Sequence, residues 1–266
     1  MSPAKPPSNQ HKWTCPPDTL RTFLVSVCGR YTLKTKATDI ARRFHFDLNP
    51  GLEDAFRPRY NISPGQGISA VIDDRDKDRR VPEILHWGLV PSWADDPAIA
   101  RNLSNARLET VDAKPSFRDA LRYRRCLIPA DGFYEWKSTA GGGKAPHYFE
   151  VEDGALFGFA AIWEHWAHPD GSEILSCALL TTRPNALMAP IHDRMPVILP
   201  PELEAAWLDP RIINPAPLLP HLQPYPAEKM RARPFSPKVN NARLDDPSLL
   251  SDPPPPQEIA FFDKLL

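Results

Sequence analysis

CLIPADGFYEWK, residues 126–137, is the stretch on which the fold reading turns. Its halves, CLIPA and GFYEWK, are short apolar and aromatic runs, which suits strands better than helices. Successive side chains of a strand point to opposite faces, so Glu135 shares a face with Phe133 and opposes Tyr134 and Trp136. A carboxylate in such apolar surroundings has a raised pKa, which suits proton transfer near neutral pH.

The pattern continues outward. CGRYTL (28–33), ISAVID (68–73), VPEILHW (81–87), HYFEVE (147–152), ALFGFAAIW (155–163) and EILSCALLTT (173–182) all read as strands. DRDKDRR (74–80) and STAGGGKAP (138–146) read as a charged hairpin loop and a flexible turn. TDIARRFHF (38–46) and PPELEAAWL (200–208) suit helices. KPSFRDALRYRR (114–125) predicts a third, with Ser116 placed three residues before Asp119 as in a capping box. Many strands with irregularly interspersed helices predict an α+β fold, with a barrel-like, mainly antiparallel sheet and helices around it.

Composition narrows the classes. The 266 residues include 33 prolines, more than twice the usual share of about 5%, which implies many turns and short elements. A formal net charge of -1 argues against broad charge-driven binding to duplex nucleic acid, though not against a local basic cleft. Cys15, Cys28, Cys126 and Cys177 form no C-x-x-C pair, so a zinc module and a disulfide framework are both disfavoured. No metal or organic cofactor is expected. No apolar run has the length of a membrane span. The expected setting is a reducing, cytoplasmic one. Residues 1–26 are polar and proline-rich and read as a disordered extension or a misassigned start. Residues 27–250 form one patterned domain, and 251–266 a Pro-rich tail.

Four polar stretches interrupt the apolar runs: Cys28-Gly29-Arg30, NARLET (105–110), GFYEW (132–136) and IHDRMPVIL (191–199). Each has an ordinary reading. A lone cysteine is usually a small core residue, Asn-Ala-Arg caps turns, Glu135 could pair with an arginine, and His192 could be a core histidine. Together they supply a cysteine, a carboxylate, an imidazole and an amide.

In that combination the chain resembles the SOS-response-associated peptidase (SRAP) family. The matching pieces are CGRYTL, RPRYNISPGQ (57–66), HWGLVPSWADD (86–96), SNARLETVDAKPSFRDALRYRRCLIPADGFYEWK (104–137), LTTRPNALMAPIHDRMPVIL (180–199) and VNNARLDDPSLL (239–250), in order. The resemblance implies a protein that binds abasic sites in single-stranded DNA and links to them through an N-terminal cysteine, here Cys28. The α-amine would form a Schiff base with the ring-opened sugar, and the thiol would close a thiazolidine. Such an adduct shields the lesion. By the same resemblance Glu135 shuttles protons, His192 assists transfer and reversal, and Asn105 positions the reacting group. Arg30 and Arg107 would hold flanking phosphates. Trp87 and Trp93 could stack on bases or wedge at a single-strand/duplex junction, or be core aromatics. Arg57, Arg59 and the Arg122/Arg124/Arg125 run could line the strand's path. A monomer, associated with the nucleoid when bound to DNA, is expected.

The α-amine has a pKa near 8, so more of it is nucleophilic at neutral pH than of a lysine. That chemistry needs Cys28 at the mature N-terminus. Three routes stay open: Val27 as the true start codon, cleavage before Cys28, or retention of the extension. The rivals are a cysteine hydrolase or peptidase using Cys28 and His192, and a non-covalent DNA-binding module.

Overall fold

The computed structural model describes residues 29–48, 51, 53–74, 79–151 and 154–251. Cys28, the extension before it, the tip of the charged loop at 75–78 and residues 252–266 lie outside the described residues.

In chain order the strands are β1 (Arg30–Leu33), β2 (Arg59–Ile62), β3 (Gly67–Asp74), β4 (Arg79–Trp87), β5 (Asn105–Arg107), β6 (Arg125–Ala130) and β7 (Gly132–Ser138). They continue as β8 (Lys144–Val151), β9 (Phe157–Ala167), β10 (Glu173–Thr182), β11 (Met195–Pro196), β12 (Ile198–Leu199) and β13 (Met230–Pro234). The helices are α1 (Ala37–Phe44), α2 (Arg118–Tyr123), α3 (Pro201–Leu208) and α4 (Ser248–Ser251). Every strand named from the sequence is present.

Two sheets form. Strands β10-β4-β3-β6-β9 pair in that order, and β9 pairs again with β10, which closes a five-stranded barrel. Closure removes the exposed edges an open sheet would have. The barrel is mixed, because β10 runs parallel to β4. The second sheet is antiparallel throughout, in the order β13-β8-β7-β1-β2. The expected α+β, barrel-like architecture is therefore the observed one.

Strand alternation divides the second sheet into two chemistries. Tyr31, Leu33, Phe133, Phe149 and Val151 point inward and join the main core with Trp87 and Phe159. Tyr134 and Tyr148 point outward and pack with Phe235, Val239 and Leu249 of the C-terminal segment. That segment is tied down by polar contacts. Asn61 Nδ2 donates to the carbonyls of Val239, Asn241 and Leu244, and Asp245 Oδ1 accepts from the backbone of Tyr60 and Asn61.

The helices close the barrel's flank. α1 buries Ile40, Ala41 and Phe44 and ends where His45 turns left-handed at φ 59°, its N–H donating to the Ala41 carbonyl. Arg43 forks onto Glu204 of α3 through bonds of 3.0 and 2.7 Å. α3 starts with Pro201 at its first turn, as expected, and Trp207 Nε1 bonds the Cys126 carbonyl at 3.0 Å. α2 is shorter than its sequence suggests, and the capping box does not form. Phe117 holds the N-cap position without a side-chain cap. The reason is packing: Phe117, Ala120 and Leu121 must all be buried, so the helical phase starts at them and leaves Ser116 in the preceding turn.

The joint between the sheets is Asp131, between β6 and β7 and 0% exposed. Its carboxylate accepts from Thr32 Oγ1 at 2.7 Å, Lys34 N at 2.7 Å, Thr35 N at 2.8 Å and Thr35 Oγ1 at 2.8 Å. Next to it, the Tyr148 hydroxyl donates to Thr32 Oγ1 across Gly132, where any Cβ would overlap that hydroxyl. Asp131→Ala strands four donors, two of them backbone, and is expected to cost about 3 kcal/mol or more. Gly132→Ala is expected to cost about 1–3 kcal/mol through overpacking. Urea unfolding midpoints for both variants check these values.

Candidate functional site

β10 gathers two of the polar stretches. Along one edge it pairs in parallel with β5, Leu179 opposite Asn105 and Thr181 opposite Arg107. Along the other it pairs with β11, Thr181 opposite Pro196. Thr181 therefore lies between the NARLET strand and the segment that follows His192.

A second link spans the same gap. Arg194 forks onto Glu109 at 2.7 and 2.8 Å, and its Nη2 also donates to the Thr181 carbonyl at 2.6 Å. The guanidinium holds the Glu109 carboxyl below its usual pKa, with Arg107 adding a smaller push the same way. Sequence reading quoted both residues but gave neither a role. What marks them is a tertiary pairing across 85 residues, which no local spacing reveals.

His192 is half-buried at the end of a turn whose start is fixed by Asn185, which accepts from Met188 N through Oδ1 and donates to the Tyr225 carbonyl. The backbone N–H of Arg194 donates to His192 Nδ1 at 3.1 Å. Asp193 Oδ1 also lies 3.1 Å from that nitrogen. The two demands conflict, since one needs a lone pair and the other a proton. The backbone N–H is fixed by the turn, whereas Asp193 is exposed and free to rotate, so the neutral ring carries its proton on Nε2. His192 thus offers the site a donor.

Asn105 is held by its backbone setting. Trp87 Nε1 donates to the Ser104 carbonyl at 2.9 Å, and Leu179 N donates to the same carbonyl. Trp87 in turn meets Tyr31 edge-on, with ring centroids 5.5 Å apart. This Tyr31–Trp87–Ser104 contact joins the barrel side of the site to the second sheet, where Glu135 sits.

Glu135 is 2% exposed, on the inward face beside Phe133, as its alternation predicts. Arg30 pairs with Tyr134 in the β1–β7 ladder, so the same register carried one residue further sets Gly29 alongside Glu135. The described chain begins there. Cys28 is the next residue back and lies outside the described residues.

The nucleic-acid candidates divide by exposure. Trp93 is 56% exposed, in the loop that leaves β4 through Gly88, whose φ is 137°. Arg57 and Arg107 are also exposed. Trp87 is corrected to a core residue: at 1% exposure no base can reach it. Arg59 is half-buried, and its donors go to Asp245, the Gly67 carbonyl and Gln66 Oε1. Arg30 lies on the outward face, away from Glu135. It donates to Asn61 Oδ1 and the Val239 carbonyl and stacks over Trp136, so its first role is to hold the C-terminal segment. Of the arginine run, Arg125 is buried and donates to the carbonyls of Leu121, Arg122, Trp207 and Asp209 at the ends of α2 and α3. Arg124 pairs with Glu164 at 2.6 Å. Only Arg122 of that run is exposed enough to meet a ligand.

The sequence model of the family described as SOS response associated peptidase (SRAP) matches residues 27–242. The chain belongs to this family. It is 43% identical over 225 residues to the abasic site processing protein YoqW of Bacillus subtilis, covering 84% of this chain and 99% of that one. It is 33% identical over 262 residues to the chicken abasic site processing protein HMCES, covering 84% and 77% of the two chains. A crystal structure of a Bacteroides thetaiotaomicron protein superposes with a TM-score of 0.75 at 27% identity, over 85% of this chain and all of that one.

Trp87→Ala is expected to cost about 3–5 kcal/mol of stability, as for a fully buried tryptophan. Trp93→Ala should stay within about 0.5 kcal/mol of the parent. Chemical denaturation of the two variants side by side tests this division between core and surface.

Proposed function

We propose that this protein processes abasic sites in single-stranded DNA by forming a covalent adduct through Cys28. The observation that carries the reading is the 43% identity over almost the whole length of a relative named for abasic-site processing. The geometry supports it, because a buried carboxyl, Glu135, lies alongside Gly29, the residue that follows Cys28.

The chemistry follows from the groups present. The ring-opened sugar presents an aldehyde. The α-amine of an N-terminal Cys28 adds to it and gives a carbinolamine. Glu135 donates the proton with which the hydroxyl leaves as water, and the C=N bond forms as an iminium that keeps the N–H. The Cys28 thiol gives its proton to the Glu135 carboxylate and adds to the same carbon, and the C=N electron pair returns to nitrogen, closing a five-membered thiazolidine. His192, with its proton on Nε2, donates to the sugar oxygen freed by ring opening. Asn105, fixed by β5 and Trp87, orients the aldehyde. Arg107 and Arg57 meet phosphates, and Trp93 stacks on a base at the strand or at a junction with duplex. The net charge of -1 suits a small basic contact surface better than a long duplex footprint. In this reading the protein works as a monomer in the cytoplasm, on the nucleoid when bound.

The test is intact-mass spectrometry of the protein beginning at Cys28, incubated with an oligonucleotide carrying one abasic site. A one-to-one adduct stable to denaturation is expected, with none for Cys28→Ala. Glu135→Gln should slow its formation by about 10²-fold or more. A parent protein that binds the oligonucleotide but never gains its mass would overturn the covalent reading. Trp93→Ala should weaken binding by about 1–3 kcal/mol, read by fluorescence anisotropy.

A further inference from the structure

Residues 88–104 join β4 to β5 and carry Trp93. A connection of more than about 15 residues is uncommon in a compact domain and usually functional. This one is closed at its base. Gly88 N donates to the Cys177 carbonyl at 2.9 Å and Leu89 N to the Leu103 carbonyl at 3.1 Å, so both ends of the loop meet beside β10. Gly88 lets the chain pass close to its own far side, since a Cβ there would lie 2.7 Å from the Ala100 carbonyl oxygen.

Beyond the base, the loop rests on the β9–β10 ladder through a small core of its own. Trp166 and Ile174 stand opposite each other in that ladder. Val90, Ala94, Ala100 and Ile99 of the loop pack with them, apart from the main core. His168 stacks on the Trp166 indole, with ring centroids 5.5 Å apart at 28°. Two hydrogen bonds pin the loop to this platform. Ser176 Oγ accepts from Val90 N at 2.9 Å, and Trp166 Nε1 donates to the Ala94 carbonyl at 2.7 Å. Ser176 and Trp166 are both buried, so a loop group that lost either partner would be left without one inside the protein.

The two bonds bracket Trp93. Val90 lies three residues before it and Ala94 directly after it. Ala94 N donates to the Pro91 carbonyl at 2.9 Å, which closes a turn around Ser92 and Trp93. The ring is thus exposed while the backbone that carries it is held on both sides. Asp95 and Asp96 follow, and the Asp96 carboxylate accepts from Ala98 N at 2.8 Å at the start of the 3-10 helix Pro97–Asn102. The tip therefore presents a flat ring next to negative charge, which suits the face of a base better than a phosphate.

We propose that Trp166 and Ser176 are positioning residues for Trp93, holding its loop in the conformation that receives a base. A ring on a mobile loop loses its freedom at the moment of binding, and affinity falls by that cost. Here the loop is ordered when the protein folds. Neither residue touches DNA. Their role rests on the part assigned above to Trp93.

Two measurements on the double variant Trp166→Phe, Ser176→Ala test it, the phenyl keeping the small core filled. The first is amide hydrogen exchange without DNA, read at Leu89 and Leu103, whose own bonds neither substitution removes. Protection there should fall about tenfold. Ala160 N, bonded to the Val197 carbonyl in the barrel, should keep its protection. Unchanged exchange at Leu89 and Leu103, or an equal loss at Ala160, would overturn the positioning role. The second is fluorescence anisotropy with a single-stranded oligonucleotide carrying one abasic site, in a Cys28→Ala chain so that no adduct forms. Affinity should fall about tenfold, but less than about twofold further in a Trp93→Ala background. An equal loss in both backgrounds, or no loss with a loosened loop, would show that the effect does not pass through Trp93 and would overturn the proposal. If the double variant fails to fold, Trp166→Phe alone carries both tests with smaller changes in the same direction. A Trp93→Ala chain that binds as tightly as its parent would sink the reading of Trp93 itself, whereas a failed exchange test overturns only the role of Trp166 and Ser176.

Discussion

The placement of the site depends on the buried carboxylate of Asp131. It sits at the corner where β6 of the barrel becomes β7 of the second sheet, and it accepts four hydrogen bonds from the end of β1 and the residues after it. No water reaches it, so each donor it loses would be left unsatisfied in the interior. This fixes β1 against β7 from the Thr32 end. The first described residue is then set beside Glu135 at the other end of the same short ladder. The position of Gly29 is thus controlled by a group several residues away from it.

The second sheet uses its two faces for different purposes. The outward face is a lock: tyrosines, Arg30 and Asn61 grip the C-terminal segment through carbonyls. The inward face is a core that turns polar at one end, where Phe133 and Phe149 give way to Glu135 and His147. The barrel contributes the other half. β10 holds Asn105 on one edge and the segment after His192 on the other, and the Glu109–Arg194 fork ties those two together. Few side chains do both jobs. Arg30 and Arg59 are bonded within the fold, whereas Arg107, Arg57 and Trp93 are exposed.

Much of this was legible in the sequence. Strand alternation at GFYEW put Glu135 on the face of Phe133, and the structure has it there. The strands and the helices α1 and α3 follow from local patterns that are strong over few residues. The ordered motifs were specific enough to indicate the family. Exposure was the harder quantity. Trp87 and Trp93 lie six residues apart in one motif, yet one is core and the other surface. Nothing in their neighbours distinguishes them, because burial depends on Tyr31 and Ser104 from other strands. Arg59 and Arg125 looked like ligand contacts for the same reason, since their partners are carbonyls and a carboxylate supplied from far along the chain.

The sequence by itself determined the elements, the face on which Glu135 lies and the set of residue types available for chemistry, because those depend on period and composition. Tertiary structure alone decided that the barrel closes through β9 and β10, that Asp131 anchors β1, that Arg194 forks onto Glu109, and that His147 stands opposite Glu135. Each of these is a pairing between distant residues. Its energy comes from desolvation and register in the folded sheet, and neither exists until the strands have met.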